Sequence, residues 1–359
     1  MIKKLRPPNH QMILLARDAR GINQKELAKA LEITQGNLSK IENGTYPLND
    51  TQLDKISTFL NFPESFFYET IDRLPVNQQF HRKRKSIGKK YLDFFDSNIT
   101  IRRLHIQKLL KSINIVDSIP RFPIEENPDP KAIAIELRKI FELGKSPIYN
   151  LVEVLEDRGL LILYSDAYEK IDGMAVPSSE DLPIIFLNNS MPPDRQRFTL
   201  AHEFGHIVMH GSVFPTEEID VEKQADTFAS EFLMPSSEFS LVNLGFHITL
   251  SDLANLKRYW YCSMASILYK LSKLGLMTPQ RARSLNVELS RSGFKKNEPL
   301  LDVYIDKPSL LMQLIDAHLN ELKLSKSELA NRLKITLEEF NAIYYSAKMK
   351  IVKTEPNNL

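Results

Sequence analysis

Two stretches decide the fold in the middle of this 359-residue chain: His202-Glu203-Phe204-Gly205-His206 and, sixteen positions later, Glu222-Lys223-Gln224-Ala225-Asp226. Residues four apart on a helix lie one turn above each other, so both histidines can face one ion. Zinc binds imidazole nitrogens and carboxylate oxygens, and a catalytic zinc site keeps a fourth position for water. The pattern therefore predicts His202, His206 and Glu222 as metal ligands, with Glu203 close enough to take a proton from that water.

Both stretches lie on segments that the sequence predicts to be buried helices. Apolar residues flank the histidines, and a second apolar run follows Ala225 until Pro235 ends it. An H-E-x-x-H motif also arises by chance on surface helices, and the second motif is what favours a metal site. Asp226, one turn from Glu222, is expected to accept the other ring N–H of a ligand histidine. Gly205 in mid-helix indicates close packing of a neighbouring backbone.

Three further residues are weaker candidates for chemistry. His210 lies four residues beyond His206 and is open to being a fourth ligand or a transition-state stabiliser, but it lies one turn too far along for the same ion. We therefore expect it to have a structural role or to contact a ligand from behind. Glu231 is the alternative third ligand. Cys262, the single cysteine, excludes an intramolecular disulfide, fits a reducing cytosol, and is expected to be a buried small residue rather than a nucleophile.

Together these motifs closely resemble the ImmA/IrrE metallopeptidases, cytoplasmic bacterial and phage zinc endopeptidases that cleave helix-turn-helix repressors. The resemblance covers roughly residues 130 to 275 and is carried by Arg195 to His206, Glu222 to Ala229 and Leu233-Met234-Pro235. It implies that His202, His206 and Glu222 bind Zn2+, with Mn2+ as an alternative metal, and that Glu203 is the catalytic acid/base. Gln224 departs from the pattern, because many relatives have glutamate there.

Residues 9 to 45 contain the second strong signal. A helix that ends near Gly21 is followed by a short helix, with Asn23 as its N-cap and Glu26 at the capping-box position. A third helix is expected from Thr34 to Glu42. Two short helices joined by a tight turn, with apolar residues inward, form a helix-turn-helix.

This segment resembles the XRE (Cro/C1-repressor-like) DNA-binding domains. By that resemblance Gln24 contacts a phosphate, and the DNA-contacting side of the third helix consists of Thr34, Gln35, Gly36, Asn37, Ser39 and Lys40. Glutamine and asparagine suit adenine edges, and lysine suits phosphate or guanine. The alternative is a helical bundle that binds protein, but the polar, uncharged-to-basic face favours a double-stranded DNA operator.

Charge is spread unevenly along the chain, although the net charge is only +2. Residues 1–45 carry eight Lys/Arg against four Asp/Glu, and residues 80–115 carry ten against two. A localised basic region indicates an anionic partner, nucleic acid first, although the run from His81 to Lys85 can also be a solvated linker. No apolar run approaches the length of a membrane span and the start is not a signal peptide, so we expect a cytoplasmic protein without a membrane partner.

Three short strands are predicted ahead of the first metal motif: Leu160–Tyr164, Gly173–Val176 and Ile184–Asn188. A peptide substrate can add to an exposed sheet edge by main-chain hydrogen bonds. The third strand is therefore either that edge or an ordinary buried strand. If it is the edge, proline at Phe186 is expected to abolish cleavage and leave the zinc content intact.

Residues 324–336 repeat residues 22–34 at an offset of 302, with six of thirteen positions identical. The apolar positions continue in the copy, but Glu338 and Glu339 replace Gly36 and Asn37. Carboxylates that face phosphate are repelled by it. We therefore predict a helix-turn-helix-like fold that does not bind DNA. The sequence leaves open whether the copy mimics a repressor domain, docks against the peptidase or mediates homodimer formation.

We expect a mainly α chain (α+β overall) in four segments. These are a five-helix XRE-type domain at 1–75, a basic helical linker at 76–128, an α+β zincin-like metallopeptidase domain with a small sheet at 129–280, and a helical C-terminal domain with the degenerate helix-turn-helix at 281–359. The resemblances imply a DNA-binding regulator and zinc endopeptidase that cleaves a helix-turn-helix repressor in a stress or prophage-type switch. Self-cleavage between about residues 68 and 90 is an alternative. The rival function is an antitoxin-like regulator whose peptidase domain acts as a sensor without catalysis.

Overall fold

The structure is a computed structural model, and it describes residues 7–70, 88–122, 129–165, 171–176, 182–211, 220–241, 248–294, 298–299 and 307–345. The chain divides into two compact units, which we call unit 1 (residues 1–114 with 312–359) and unit 2 (residues 115–311). The first and last parts of the chain thus belong to one unit. The basic run from His81 to Lys85 lies outside the described residues.

The described helices and strands follow one another in a fixed order. In the first third of the chain they are α1 (His10–Ala19), α2 (Gln24–Ala30), α3 (Gln35–Glu42), α4 (Asp50–Leu60), a 3-10 helix (Glu64–Tyr68) and α5 (Lys89–Leu110). They continue with α6 (Pro130–Ile140), α7 (Leu151–Glu156), β1 (Leu161–Ser165), β2 (Gly173–Val176), β3 (Ile184–Asn188), α8 (Pro193–His210), α9 (Val221–Leu233) and α10 (Ser236–Leu241). The last are α11 (Leu250–Trp260), α12 (Met264–Lys273), α13 (Pro279–Arg291), α14 (Leu310–Asn320), α15 (Lys326–Leu333) and α16 (Leu337–Tyr344).

Helices α1 to α4 and the 3-10 helix form the five-helix domain that the sequence predicts. The Asn23 side chain accepts the N–H of Glu26, and the Glu26 carboxylate accepts the N–H of Asn23, which completes the capping box. The Thr34 hydroxyl accepts the N–H of Asn37 and begins α3. These local hydrogen bonds determine where both helices of the helix-turn-helix start.

Helix α5 extends the core of this domain. Ile101 and Leu104 are buried in the same apolar cluster as the inner faces of α1 to α4. The Asn98 side-chain amide donates to the backbone oxygen of Ala19, the last residue of α1. The helical part of the segment expected as a linker is therefore packed against the DNA-binding fold within unit 1.

The degenerate copy has the helix-turn-helix fold that its sequence predicts. Ser325 and Glu328 form a capping box at the start of α15, as Asn23 and Glu26 do at α2. Thr336 caps α16 by accepting the N–H of Glu339. Since α3 and α16 begin and end at positions 302 residues apart, the two copies share the same local architecture.

Unit 2 contains a three-stranded sheet in the order β1-β3-β2. Strand β3 pairs with β1 in parallel and with β2 antiparallel, with Ile185 opposite both Ile162 and Ala175. All five residues of β3 are buried. The interpretation of Ile184–Asn188 as a substrate-binding edge is therefore wrong, because both of its sides are occupied by other strands. Among the described strands, β1 and β2 are the edges of the sheet.

Aromatic side chains join α8 to α9 in the core of unit 2. The Phe204 ring on α8 lies 5.8 Å from the Phe228 ring and 5.6 Å from the Phe232 ring on α9. Phe228 and Phe232 stack on each other with ring centroids 5.4 Å apart. All three rings are fully buried, so the two helices that carry the metal motifs are held at a close, well-packed contact.

Buried charged groups anchor the two ends of this helix pair. Lys257 is almost completely buried and pairs with Asp194, in the first turn of α8, at 2.5 Å and with Glu298 at 2.8 Å. Arg138 donates to the backbone oxygen of Phe232 near the end of α9.

Along the described part of the chain, no helix combines the length and apolar composition that crossing a membrane requires.

Candidate metal centre and nucleic-acid interface

The three predicted ligands converge on one point in unit 2. The Nε2 atoms of His202 and His206 are 3.1 Å apart, and the carboxylate of Glu222 lies 3.6 Å and 3.5 Å from them. Ligand atoms about 2.0–2.1 Å from a tetrahedral zinc ion are about 3.3–3.4 Å from each other. The donor set and its spacing therefore fit a three-ligand zinc site. Among the described residues, these are the three side chains close enough together to hold a metal.

Asp226 holds the first histidine from behind. Nδ1–H of His202 donates to Oδ1 of Asp226 at 2.8 Å, and this leaves Nε2 directed towards Glu222 and His206. A carboxylate in this position fixes the ring orientation and raises the basicity of the ligand nitrogen. This is the contact that the E-x-x-x-D spacing predicts.

A second chain of hydrogen bonds supports His206. Its Nδ1 lies 2.9 Å from Nδ1 of His210, and Nε2 of His210 lies 3.2 Å from Oε1 of Gln224. For Nε2 of His206 to carry a free lone pair, Nδ1–H of His206 must donate to His210, and Nε2–H of His210 must donate to Gln224. Gln224, the departure from the family pattern, thus serves as the terminal acceptor.

Burial and these hydrogen bonds determine the protonation of the site. Burial and, to a smaller extent, the charge of the neighbouring His206 lower the pKa of His210 to about 4. His210 is therefore neutral at neutral pH, and its Nδ1 can accept a hydrogen bond. Burial also lowers the pKa of His202, but hydrogen bonds to Asp226 and Glu222 outweigh it and raise the value to about 10, so a metal ion would have to displace a proton from this ring. The pKa of Glu222 is lowered: burial raises it, but the two histidines outweigh that effect. Glu222 is therefore a carboxylate at neutral pH.

Glu203 is buried on the same helix and contacts the sheet. Its Oε2 accepts the N–H of Ala175 on β2 at 2.8 Å. The close approach of β2 to α8 depends on Gly173, because a Cβ there would lie 2.7 Å from Cγ2 of Thr199 and 3.1 Å from Cγ of Glu203. A glycine thus lets the strand lie directly on the face of α8 that carries Glu203.

Gly205 allows the two metal-motif helices to approach each other. A Cβ at this position would lie 2.8 Å from Cδ1 of Phe228 on α9. The expectation that a neighbouring backbone packs there is wrong in one respect: the neighbour is an aromatic side chain. The two helices contact through this ring because glycine has no side chain to displace it.

The remaining candidates lie away from the convergence point. Glu231 pairs with Lys270 at 2.6 Å and accepts hydrogen bonds from Ser236, so it is not part of the ligand cluster. Burial raises the pKa of Glu231, but the charge of Lys270 outweighs burial and lowers it. Cys262 is fully buried and burial raises the pKa of its thiol to about 12, which agrees with a packing role.

In unit 1, a buried ion pair organises the face predicted to contact DNA. Nε–H of Arg17 donates to Glu42 at 2.6 Å, and the Gln24 amide donates to the other oxygen of Glu42 at 2.7 Å. The Gln35 amide in turn donates to Oε1 of Gln24 at 3.2 Å. The ion pair therefore positions the side chain of Gln24, and Gln24 positions Gln35 at the start of α3.

The structure exposes most of the residues predicted for this interface. Five of them are exposed: Thr34, Gln35, Gly36, Asn37 and Lys40. Gln24 and Ser39 are half-buried. Exposed polar side chains on the first turns of a recognition helix are available to base edges, although their individual DNA contacts stay predictions.

Three participants were not found from the sequence. The N–H of Ala175 contacts Glu203, Gln224 completes the hydrogen-bond chain behind His206, and Arg17 pairs with Glu42 below the recognition helix. The first two contacts depend on how separate elements cross, which residue spacing does not contain. The third had a signal, because a glutamate on the inner side of a short helix needs a buried cation.

Comparisons with known proteins match two separate parts of the chain. Residues 155–272 match the family described as the IrrE N-terminal-like domain, and residues 13–67 match the helix-turn-helix family. The radiation response metalloprotease IrrE of Deinococcus radiodurans is 31% identical over 101 residues, which are 25% of this chain and 31% of that protein. Uncharacterized HTH-type transcriptional regulators of Sinorhizobium medicae and Rhizobium meliloti are each 36% identical over 75 residues, 19% of this chain and 54% of theirs.

The chain thus spans about a third of the first relative and about half of the other two. The two family matches do not overlap. The helix-turn-helix match falls on the five helices of the first domain, and the IrrE-like match falls on the sheet with α8 and α9. The chain thus combines a helix-turn-helix domain, matched at residues 13–67, with an IrrE-like domain, matched at residues 155–272.

Proposed function

We propose that this protein is a DNA-binding transcriptional regulator and a zinc-dependent endopeptidase. One observation supports the catalytic part of this proposal. His202, His206 and Glu222 converge, and the buried Glu203 lies next to His202 on helix α8. A zinc site that only stabilises a fold closes its coordination with four protein ligands and needs no adjacent acid/base. Three ligands with a neighbouring glutamate are the arrangement of a hydrolytic site.

The side chains behind the ligands prepare the site for metal. His202, His206 and Glu222 would hold the ion, with Asp226 fixing the first ring and His210 the second. A bound zinc would polarise the carbonyl of the scissile peptide and make water more acidic. Because His210 is neutral and hydrogen-bonded to Gln224, it keeps the His206 ring in the tautomer that can donate its lone pair.

Glu203 then performs the proton transfers. Ala175 N–H binds Oε2 and orients the carboxylate, so Oε1 is the oxygen that takes the proton from the attacking water. As the water oxygen bonds to the carbonyl carbon and the C–N bond breaks, Glu203 passes this proton to the departing amide nitrogen. Its burial keeps bulk water from competing for the proton.

The substrate strand that we propose adds to β2, not to β3. The N–H of Asn188 donates to the oxygen of Asp172, so antiparallel alternation directs the main-chain groups of Gly173 and Ala175 away from β3. Because the N–H of Ala175 donates to Glu203, the pairing that we propose uses the main-chain groups of Gly173. An extended peptide that pairs with this edge lies beside α8, with its carbonyl groups close to Glu203.

The presence of both domains on one chain supports our proposal for the substrate class. A helix-turn-helix on the same chain brings the peptidase to operator DNA, where other helix-turn-helix regulators bind, and such a regulator or the chain itself is the proposed substrate. The related protein of Deinococcus radiodurans is named a radiation response metalloprotease, which supports a role in stress response. We also propose a cytoplasmic location, where the chain would reach DNA.

Incubation with candidate regulators tests this proposal. Wild-type protein and a Glu203→Gln variant, each loaded with zinc or manganese, are incubated with helix-turn-helix regulators in the presence and absence of DNA. Intact-mass spectrometry then identifies the fragments. We expect the wild-type protein to cut a partner or itself and the variant to cut neither. If the wild-type protein cuts nothing under any of these conditions, the domain is a sensor without catalysis.

A further inference from the structure

The second helix-turn-helix packs against the first within unit 1. It does so through a position that, in the first copy, is predicted to contact DNA. Glu339 is the residue that corresponds to Asn37 of the recognition helix, 302 positions earlier. Asn37 is exposed, whereas Glu339 is buried. Both oxygens of Glu339 accept hydrogen bonds from Arg20, at 2.9 Å and 2.8 Å. The position that is exposed in the first helix-turn-helix is therefore buried in the second, where its side chain binds the first helix-turn-helix.

Arg20 is fixed from the other side by the DNA-binding domain. Its Nε–H donates to the backbone oxygen of Leu60, and Nη2 donates to that of Asn61. Its guanidinium also lies 4.0 Å above the ring of Phe62. Because only 4% of the Arg20 side chain and 10% of the Glu339 side chain are exposed, the pair is shielded from water. A two-pronged pair of this kind is specific in geometry as well as charge.

A second contact joins the copy to α5. The hydroxyl of Tyr344 lies 2.9 Å from Nδ1 of His105, and both groups are buried. In the first copy the same position is Glu42, which binds Arg17 and Gln24. The copy has therefore exchanged the ion pair that organises a DNA-reading face for a contact with a neighbouring helix.

Salt bridges at Glu69 connect all three parts of unit 1. Lys108 on α5 pairs with Glu69 at 2.8 Å, and Lys334 of the second copy lies 3.9 Å from the other oxygen. Glu69 directly follows the 3-10 helix of the DNA-binding domain. The domain is thus held at two separate places, Arg20 and Glu69, by groups that follow it in the chain.

We propose that the second helix-turn-helix is the intramolecular partner of the first and retains it after the chain is cut between residues 71 and 87. None of the alternatives that the sequence left open describes this arrangement. A single cut there leaves the fragment 1–70 bound to α5 and to the second copy. Detaching the whole of unit 1 from unit 2 requires cuts on both sides of residues 115–311. The consequence for self-cleavage rests on the proposed peptidase function, but retention itself does not.

The test uses a foreign protease, so its outcome is independent of the chain's own activity. A recognition sequence for a site-specific protease is inserted between residues 71 and 87 of the full chain, in a Glu203→Gln background. After cutting, native mass spectrometry and a dilution series in size-exclusion chromatography measure the dissociation constant of the two fragments. We expect the fragments to migrate together at micromolar concentration. Separation of the unsubstituted fragments at that concentration would overturn the proposal.

Glu338 provides a matched control. It adjoins Glu339, it is exposed, and its change to glutamine removes the same charge. We expect Glu339→Gln to raise the dissociation constant about 10- to 100-fold and Glu338→Gln to leave it unchanged. Equal effects of the two changes would overturn the role of the Arg20 pair. Circular dichroism of the uncut chains verifies folding. If Glu339→Gln does not fold, Arg20→Lys, which keeps the charge but loses the two-pronged pair with Glu339, must weaken retention.

Discussion

Replacing Gly205 by alanine tests whether the two metal-motif helices are as close as the structure places them. Alanine gains about 1 kcal/mol of helix propensity over glycine. Against this gain, its Cβ would lie 2.8 Å from Cδ1 and 3.3 Å from Cγ of Phe228, where carbon atoms normally lie about 3.5–4.0 Å apart. The Phe228 ring stacks on Phe232, contacts the Phe204 ring edge-to-face and is fully buried, so α9 must move instead.

Overpacking of this kind costs about 1–3 kcal/mol, so we expect a net loss of stability of up to about 2 kcal/mol. Because α9 carries Glu222, its movement also displaces the third ligand, and we expect zinc affinity to fall about tenfold or more. The assays are thermal unfolding and competition with a chromogenic zinc chelator. Gly36→Ala is the matched control, since its Cβ would meet only Oγ1 of Thr34, at 4.0 Å, and we expect it to raise stability. If Gly205→Ala behaves like Gly36→Ala and binds zinc normally, the packing argument is refuted.

Other substitutions test other parts of unit 2. Asp226→Asn removes the charged acceptor behind His202, and we expect a chelator competition to show a 10- to 100-fold loss of zinc affinity; unchanged affinity would contradict that role. Lys270→Met leaves Glu231 buried without its cation and is expected to cost about 3–5 kcal/mol in denaturant unfolding, whereas a cost below about 1 kcal/mol would show that the pair is solvated. Burial and the raised pKa of Cys262, about 12, imply that a thiol reagent at about pH 8 labels it only after unfolding; rapid labelling of folded protein would exclude the buried position.

Local spacing explains why the convergence of His202, His206 and Glu222 could be predicted. The two histidines lie on one helix, where four-residue spacing alone directs both towards one point. Glu222 and Asp226 also lie four residues apart on one helix, so both face the histidines if the two helices are in contact. The caps at Asn23 and Thr34 are also local, because a capping hydrogen bond spans three residues.

Contacts between distant segments could not be predicted in the same way. Strand β3 was considered as an edge because strand order depends on pairing between separate parts of the chain. The run of apolar residues in Ile184–Asn188 was nevertheless a sign of a central strand, and all five residues are buried. In a strand with one face towards solvent, apolar and polar residues alternate. The glutamates of the second helix-turn-helix predict that it does not contact phosphate, which stays a prediction. That Glu339 pairs with Arg20 could not be predicted, because Arg20 lies more than 300 residues away in the sequence.

The central claim is that Glu203 performs proton transfer at a zinc site formed by His202, His206 and Glu222. The most direct test measures bound zinc and peptide cleavage in the same samples of wild-type and Glu203→Gln protein, with zinc determined by plasma mass spectrometry. We expect one zinc per chain in both proteins, and cleavage that falls to background only in the variant. Cleavage at wild-type rates by the zinc-loaded variant would contradict the account.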